Sequence, residues 1–206
     1  LGELFKMGPY TIILMQGVLV PIGVFLSVFS FILLLNWSLM EELACINAPT
    51  LLLLEASPTE NYDEKIERMI LRFMMNGFQI VVATRPKSLL SRRIEFVEKK
   101  PIVIHLSYET HEPMKLEDNL IVSPPNLLYL KNLVKRIARN TKTILIIDNL
   151  TDLIAMRGIK QVYEELRSLI DNVPDSVGIV ALVFSRAHDE KELALFRSLF
   201  HRSLKM

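Results

Sequence analysis

The stretch that decides the fold is TILIIDNLTDLI, Thr143 to Ile154. Its first five residues are almost wholly apolar and β-branched, and the run stops at a carboxylate, Asp148. Unbroken apolar character over so short a length marks a strand covered on both faces, as in a parallel sheet. Five similar runs flank it: Thr50–Glu55, Gln79–Thr84, Ile102–Leu106, Leu120–Val122 and Val177–Phe184. Between them lie amphipathic segments of helical period. Ile66, Met69, Ile70 and Phe73 share one stripe, with Glu64, Arg68 and Arg72 on another face. Leu127, Leu130, Val134 and Ile137 form a second stripe, and Ile159, Val162, Tyr163, Leu166, Leu169 and Ile170 a third. Gly77 is placed to close the first helix. Ser123 before Pro124 predicts an N-cap with proline at the first helical position. Asp189 with Glu192 predicts the start of a last helix carrying Leu193, Phe196, Leu199 and Phe200. The expected architecture is α/β, a three-layer, mostly parallel sheet with helices on both faces.

Composition narrows the class. The 206 residues carry 24 Lys plus Arg against 23 Asp plus Glu, a net charge of +1, which argues against a dedicated nucleic-acid binder. One cysteine excludes an internal disulfide framework and a Cys-rich zinc site. Hydrophobic residues make up 50% and mean hydropathy is +0.31, and the excess sits at the front. From Met7 to Met40, 34 residues, there is no charged side chain. Tyr10 and Trp37 bracket the most apolar part, as aromatics do at membrane interfaces. A helix from Tyr10 to Leu35 would measure about 39 Å, enough to cross ~30 Å of hydrocarbon with tilt. Pro21, beside Gly17 and Gly23, would kink it, which lipid-embedded helices tolerate. The expected organisation is therefore a single-pass transmembrane anchor over 1–40, a connector over 41–49 and an α/β domain over 50–206.

Orientation signals conflict. Lys6 precedes the apolar segment while Glu41 and Glu42 follow it, which by charge alone would put the large domain outside. The chain begins with Leu1, and upstream residues would outweigh one lysine. The free Cys45 favours a reducing compartment. The expectation is a membrane protein whose α/β domain is cytoplasmic.

In such sheets ligands sit beyond the carboxyl ends of the strands. Those ends offer Glu55, Thr84 with Arg85, Ser107, Asp148 with Asn149, and Ser185 with Arg186. Thr84, Arg85, Asp148, Asn149, Ser185 and Arg186 are the candidate ligand- or partner-facing residues. Arg85 is expected to form a salt bridge with Asp148. His105, His111, His188 and His201 lie in different elements without ligand spacing, so surface or capping roles are expected rather than a metal. Cys45 is a packing residue or an acylation site. Lys131, Lys135, Arg139 and Lys142 read as a solvated helix face.

The strand ending at Asp148 resembles a Walker B strand, whose carboxylate holds magnesium in P-loop ATPases. PTLLLLEASPTENYDEKIERMI, Pro49 to Ile70, sits where a P-loop strand, loop and helix would sit. FQIVVATRPKSLL, Phe78 to Leu90, resembles the second strand of RecA- and KaiC-type ATPases. Leu51 to Leu199 also resembles an uncharacterised archaeal domain family, often attached to membrane segments. Its motifs match Thr84–Arg85–Pro86, Ile121 with Ser123 and Pro124, and Asp148–Asn149–Leu150 with Leu153 and Ile154. The departures set the functional expectation. A phosphate cradle needs glycine N–H groups, then Lys and Ser/Thr. EASPTENYDEK has no glycine and no such pair, and it brings Glu55, Glu60, Asp63 and Glu64 to the expected cradle. Lys65 is not followed by a hydroxyl residue. Thr84 and Arg85 stand where the catalytic glutamate belongs. The resemblance therefore implies a degenerate RecA/KaiC-like domain without catalytic residues, cofactor or metal, serving as a binding or scaffolding module. Its expected partners are the membrane and another protein or a second copy. Two rivals are an atypical nucleotide hydrolase, with Asp148 on metal and Arg85 or Arg186 on phosphate, and a membrane-tethered nucleic-acid binder using the basic stripe.

Overall fold

The computed structural model describes residues 50–57, 61–95, 100–139 and 141–206, all within the unit Ile46–Met206. The anchor expected over Tyr10–Leu35, and Cys45, lie outside the described residues. Among the described residues no helix is long and apolar enough to cross a membrane.

The described residues form eight strands and six helices: β1 (Leu51–Ala56), α1 (Tyr62–Met75), β2 (Gln79–Thr84), α2 (Leu89–Ile94), β3 (Ile102–Leu106), β4 (Met114–Glu117), β5 (Leu120–Ser123), α3 (Leu127–Ile137), β6 (Thr143–Asp148), α4 (Leu150–Arg157), α5 (Ile159–Asn172), β7 (Val177–Phe184), α6 (Glu190–Arg197) and β8 (Arg202–Lys205). They form one sheet in the order β4-β5-β3-β2-β6-β7-β1-β8. Only the β4–β5 pair is antiparallel. The fold is thus a mostly parallel α/β sheet with helices.

Side chains alternate across the sheet. Leu53, Val81, Ala83, Leu145, Ile147, Ile179 and Ala181 point into one core with Leu130 and Val134 of α3, Leu166 and Leu169 of α5, and Phe196 of α6. Ile66, Met69, Ile70 and Phe73 of α1 and Leu90 and Ile94 of α2 are equally buried but belong to the opposite layer. β6 is buried at all six positions, as its unbroken apolar run requires. Gly178 in β7 is needed for close approach, because a Cβ there would fall 2.7 Å from Ile144 Cδ1 and 2.8 Å from the Thr50 backbone nitrogen.

Several boundaries differ from expectation. β1 runs one residue later, ending at Ala56, and β5 extends through Ser123. Ser123 is therefore strand, not an N-cap, and its hydroxyl donates to the Pro124 carbonyl at 3.3 Å. The cap of α3 is Asn126, whose Oδ1 accepts from Leu128 N at 2.7 Å. Two successive prolines hold the chain extended, so the helix begins after them. Asp189 caps α6 as expected, accepting from Glu192 N at 2.8 Å, but the helix ends at Arg197, before Leu199 and Phe200. Gly77, with φ of 81°, follows the C-terminus of α1 in the left-handed conformation. Strands β4 and β8 and helices α2 and α4 were not foreseen. All four residues of β4 are exposed, and a bulge lies between Lys115 and Glu117. Shortness, charge and a bulge are the usual protections of a free sheet edge.

Candidate functional site

The carboxyl ends of β2 and β6 are adjacent and in register, Thr84 opposite Asp148. Both side chains point toward the layer of α1 and α2. Thr84 Oγ1 donates to Asp148 Oδ2 at 2.7 Å, so its proton is committed. The contact from Ser88 Oγ to Thr84 Oγ1, 2.8 Å, must then be donated by Ser88. Ser88 Oγ also accepts from Ser91 N at 3.0 Å, which makes it the N-cap of α2. One chain of hydroxyls thereby fixes the Asp148 carboxylate to the start of α2.

Asp148 is 4% exposed and Asp63, in the first turn of α1, is 6% exposed. The Oδ1 oxygen of each is buried and has no hydrogen-bond partner. Burial, reinforced by the charges of Asp63 and Asp152 and opposed by the Thr84 bond and Arg85, raises the Asp148 carboxyl to about 6. Burial likewise raises Asp63, against the Tyr62 phenol and the Arg93 charge. Tyr62 is pushed up by its own burial and then by the carboxylates around it. Its ring meets Phe184, at the end of β7, edge-on with centroids 5.2 Å apart. The crest beside α1 is therefore a buried acidic corner with an aromatic wall.

The expected Arg85–Asp148 salt bridge is not formed. Arg85 Nε lies 2.7 Å from Asp152 Oδ2 instead. Asp148 is the end of a buried strand, whereas Asp152, one turn into α4, reaches the half-exposed guanidinium. Asn149 caps α4, its Oδ1 accepting from Asp152 N at 2.8 Å and its Nδ2 donating to Asp152 Oδ2 at 3.2 Å. Thr84, Arg85, Asp148 and Asn149 are thus brought together. Ser185 and Arg186 stand in a single 3-10 turn after β7 and make no side-chain hydrogen bond to those four among the described residues. Ser185 Oγ donates to the Ala56 carbonyl at 3.4 Å, and Arg186 is exposed.

Glu55 is not part of any cradle. It points to the opposite layer and is chelated by Arg197 of α6, with Nε at 2.6 Å and Nη2 at 2.7 Å, and by Ser203 Oγ of β8 at 2.5 Å. Glu64 pairs with Arg68 at 2.5 Å, and Glu60 lies outside the described residues. Ser107 Oγ accepts from Glu109 N at 3.2 Å, and its backbone N–H donates to the Ser123 carbonyl at 2.9 Å. Lys131 donates to Ser168 at 3.3 Å, while Arg139 and Lys142 fall beyond the end of α3, so the four bases are not one helix face.

Two histidines have specific partners. His188 Nε2 is 3.1 Å from Thr151 Oγ1 and its Nδ1 is 3.1 Å from Glu192 Oε2, tying α4 to α6. His105 Nε2 is 2.9 Å from Ser91 Oγ. Among the described residues no three His, Cys, Asp or Glu side chains are grouped to hold a metal ion. Asp63, Asp152, Ser88 and Ser91 join the site without a motif of their own. The four-residue step from Asp148 to Asp152 was the available signal for the second.

No protein-family model matches the chain, and no curated protein matches it either. Among solved structures it is similar to the flagellar accessory protein FlaH from Methanocaldococcus jannaschii, at 12% identity and a TM-score of 0.49, over 77% of this chain and 71% of that one. It is also similar to a DnaB-like replicative helicase, at 12% identity and a TM-score of 0.41, over 65% of this chain and 38% of that one.

Proposed function

We propose that this chain is a membrane-anchored, non-catalytic RecA/KaiC-like module that binds or scaffolds another protein, with its α/β domain in the cytoplasm. The observation that carries the reading is the acidic corner. A helix N-terminus at the crest of such a sheet is an anion site, because its free N–H groups and dipole favour negative charge. Here the first turn of α1 already holds Asp63 and Glu64, and Asp63 faces the buried Asp148 electrostatically. An incoming phosphate would meet two carboxylates and no glycine loop. Arg85, at the end of β2, is engaged by Asp152. The residues left in the crest bind one another rather than a nucleotide.

The anchor rests on the uncharged run Met7–Met40. Detergent phase partition of the full chain tests it. The full chain is expected in the detergent phase, and a chain beginning near Ala48 in the aqueous phase. Full-length protein in the aqueous phase without detergent would overturn the anchor.

A further inference from the structure

Seven of the eight strands run parallel, so their amino ends lie at one end of the sheet. Backbone bonds mark that row. Gln79 N–H donates to the Lys142 carbonyl at 2.9 Å, Ile179 N–H to the Thr50 carbonyl at 2.8 Å and His201 N–H to the Leu51 carbonyl at 3.1 Å. A helix that connects parallel strands runs back against them, so the last turns of α1 and α3 reach the same end.

This end is basic. α1 contributes Arg72 and α3 contributes Lys135 and Arg136 from their last turns. Arg139 and Lys142 follow before β6, and Arg202 opens β8. Among the described residues none of these six is in an ion pair, and all but Arg72 are exposed. The dipole of a helix favours bases in its last turn, which accounts for Arg72, Lys135 and Arg136. Arg139, Lys142 and Arg202 stand outside helices and have no such partner. Asp118 and Asp171 are neutralised here by Lys115 and Arg167. The carboxylates left over are Asp175 before β7, and Glu95 and Glu117 on the β3–β5 side beside Lys100. Positions 96–99 and 140 carry no net charge, so the excess around β2, β6 and β8 is positive whatever their place.

Two further observations say what covers this end. Leu71 and Met75, one turn apart on α1 beside Arg72, are 40% and 87% exposed. Apolar side chains among bases are what rests on an anionic lipid leaflet. β1 also starts here, and Thr50 stands ten residues beyond Met40, a reach of at most ~36 Å. The chain coming from the uncharged run thus enters the domain at its basic end, while the opposite end holds Asp63, Asp148 and Asp152.

We propose that the amino end of the sheet is a docking surface for an anionic membrane, with its bases on lipid phosphates and carboxylates and Leu71 and Met75 at the headgroup level. This surface deepens the membrane attachment inferred above and rests on it, not on the inactive crest.

The test uses the full chain reconstituted in lipid nanodiscs, with Cys45→Ser and a fluorophore on Met75→Cys or on Leu89→Cys, exposed positions at opposite ends of the sheet. The discs carry a headgroup nitroxide quencher, in phosphatidylcholine alone or with about 30% phosphatidylserine. With phosphatidylserine at about 0.1 M salt, the Met75→Cys label is expected to lose at least about half of its fluorescence and the Leu89→Cys label almost none. Omitting phosphatidylserine, raising salt to about 1 M, or combining Arg136→Glu, Arg139→Glu and Lys142→Glu, all at exposed positions, should each restore it. Protein absent from discs of either lipid would overturn the anchor, and this surface with it. Protein present in both discs would overturn the surface alone if the Met75→Cys label stays bright, if both labels are quenched equally, or if quenching is indifferent to phosphatidylserine or survives the triple glutamate variant.

Discussion

Replacing Arg197 with methionine is expected to destabilise the domain by about 3–5 kcal/mol, the cost of leaving a buried carboxylate unpaired. The Glu55 side chain is 1% exposed, on β1 between β7 and the edge strand β8. Two nitrogens of Arg197 and the hydroxyl of Ser203 satisfy it. The methionine stem keeps most of the apolar packing, so the loss reports the charge. Glu55→Gln should cost less, and the Glu55→Gln, Arg197→Met double variant should recover part of the loss, since no uncompensated charge remains. The Arg197 bond holds Glu55 below the usual carboxylate range, outweighing burial. Its contribution is therefore present above the unfolded carboxyl value and fades as pH falls through the lower folded one. Urea unfolding at pH 7 measures the effect. A loss under about 1 kcal/mol would mean that the pair behaves as a surface salt bridge.

Asp148 is expected to behave in the opposite sense. Its folded carboxyl titrates at about 6, above the 3.8 of the free side chain. The native state then holds a proton that the unfolded chain has lost, so stability from this group is full below about 4 and is lost as pH rises through 6. Asp148→Asn should therefore stabilise the domain at pH 7.5 by about 3 kcal/mol, since each tenfold change in proton affinity is worth roughly 1.4 kcal/mol. The amide oxygen can still accept from Thr84, so the hydroxyl chain through Ser88 survives. The gain should shrink toward zero near pH 4. Paired unfolding curves at the two pH values decide it, and an asparagine variant less stable than the parent at pH 7.5 would contradict the acidic corner.

The central strands were legible because physics over-determines them. β1, β2, β3, β6 and β7 are continuous apolar runs of the length a two-faced sheet imposes. β4 and β8 were not legible, since an edge strand needs no apolar pattern: Met114–Glu117 alternates apolar and charged residues, and Arg202–Lys205 carries a single leucine. α2 escaped notice because six residues cannot show a helical period. The strand order arises from long-range pairing that no local pattern encodes, and it is this order that seats Thr84 against Asp148. The sequence pointed to Arg85 but not to its partner, because the choice between Asp148 and Asp152 depends on which carboxylate is buried. The Ser91–His105 contact joins two elements 14 residues apart, and neither carries a motif.

Phosphate release from Mg·ATP by the purified full chain, beside an Asp148→Ala control, is the measurement that decides whether the crest works on nucleotides. Phosphoryl transfer relies on converging N–H groups, a phosphate-binding cation and an oriented water. The crest supplies instead Asp63 and Asp148, with Arg85 held by Asp152. Both proteins are expected to release phosphate at the background rate. Turnover of about 1 per second, ordinary for such enzymes and abolished in Asp148→Ala, would contradict the account.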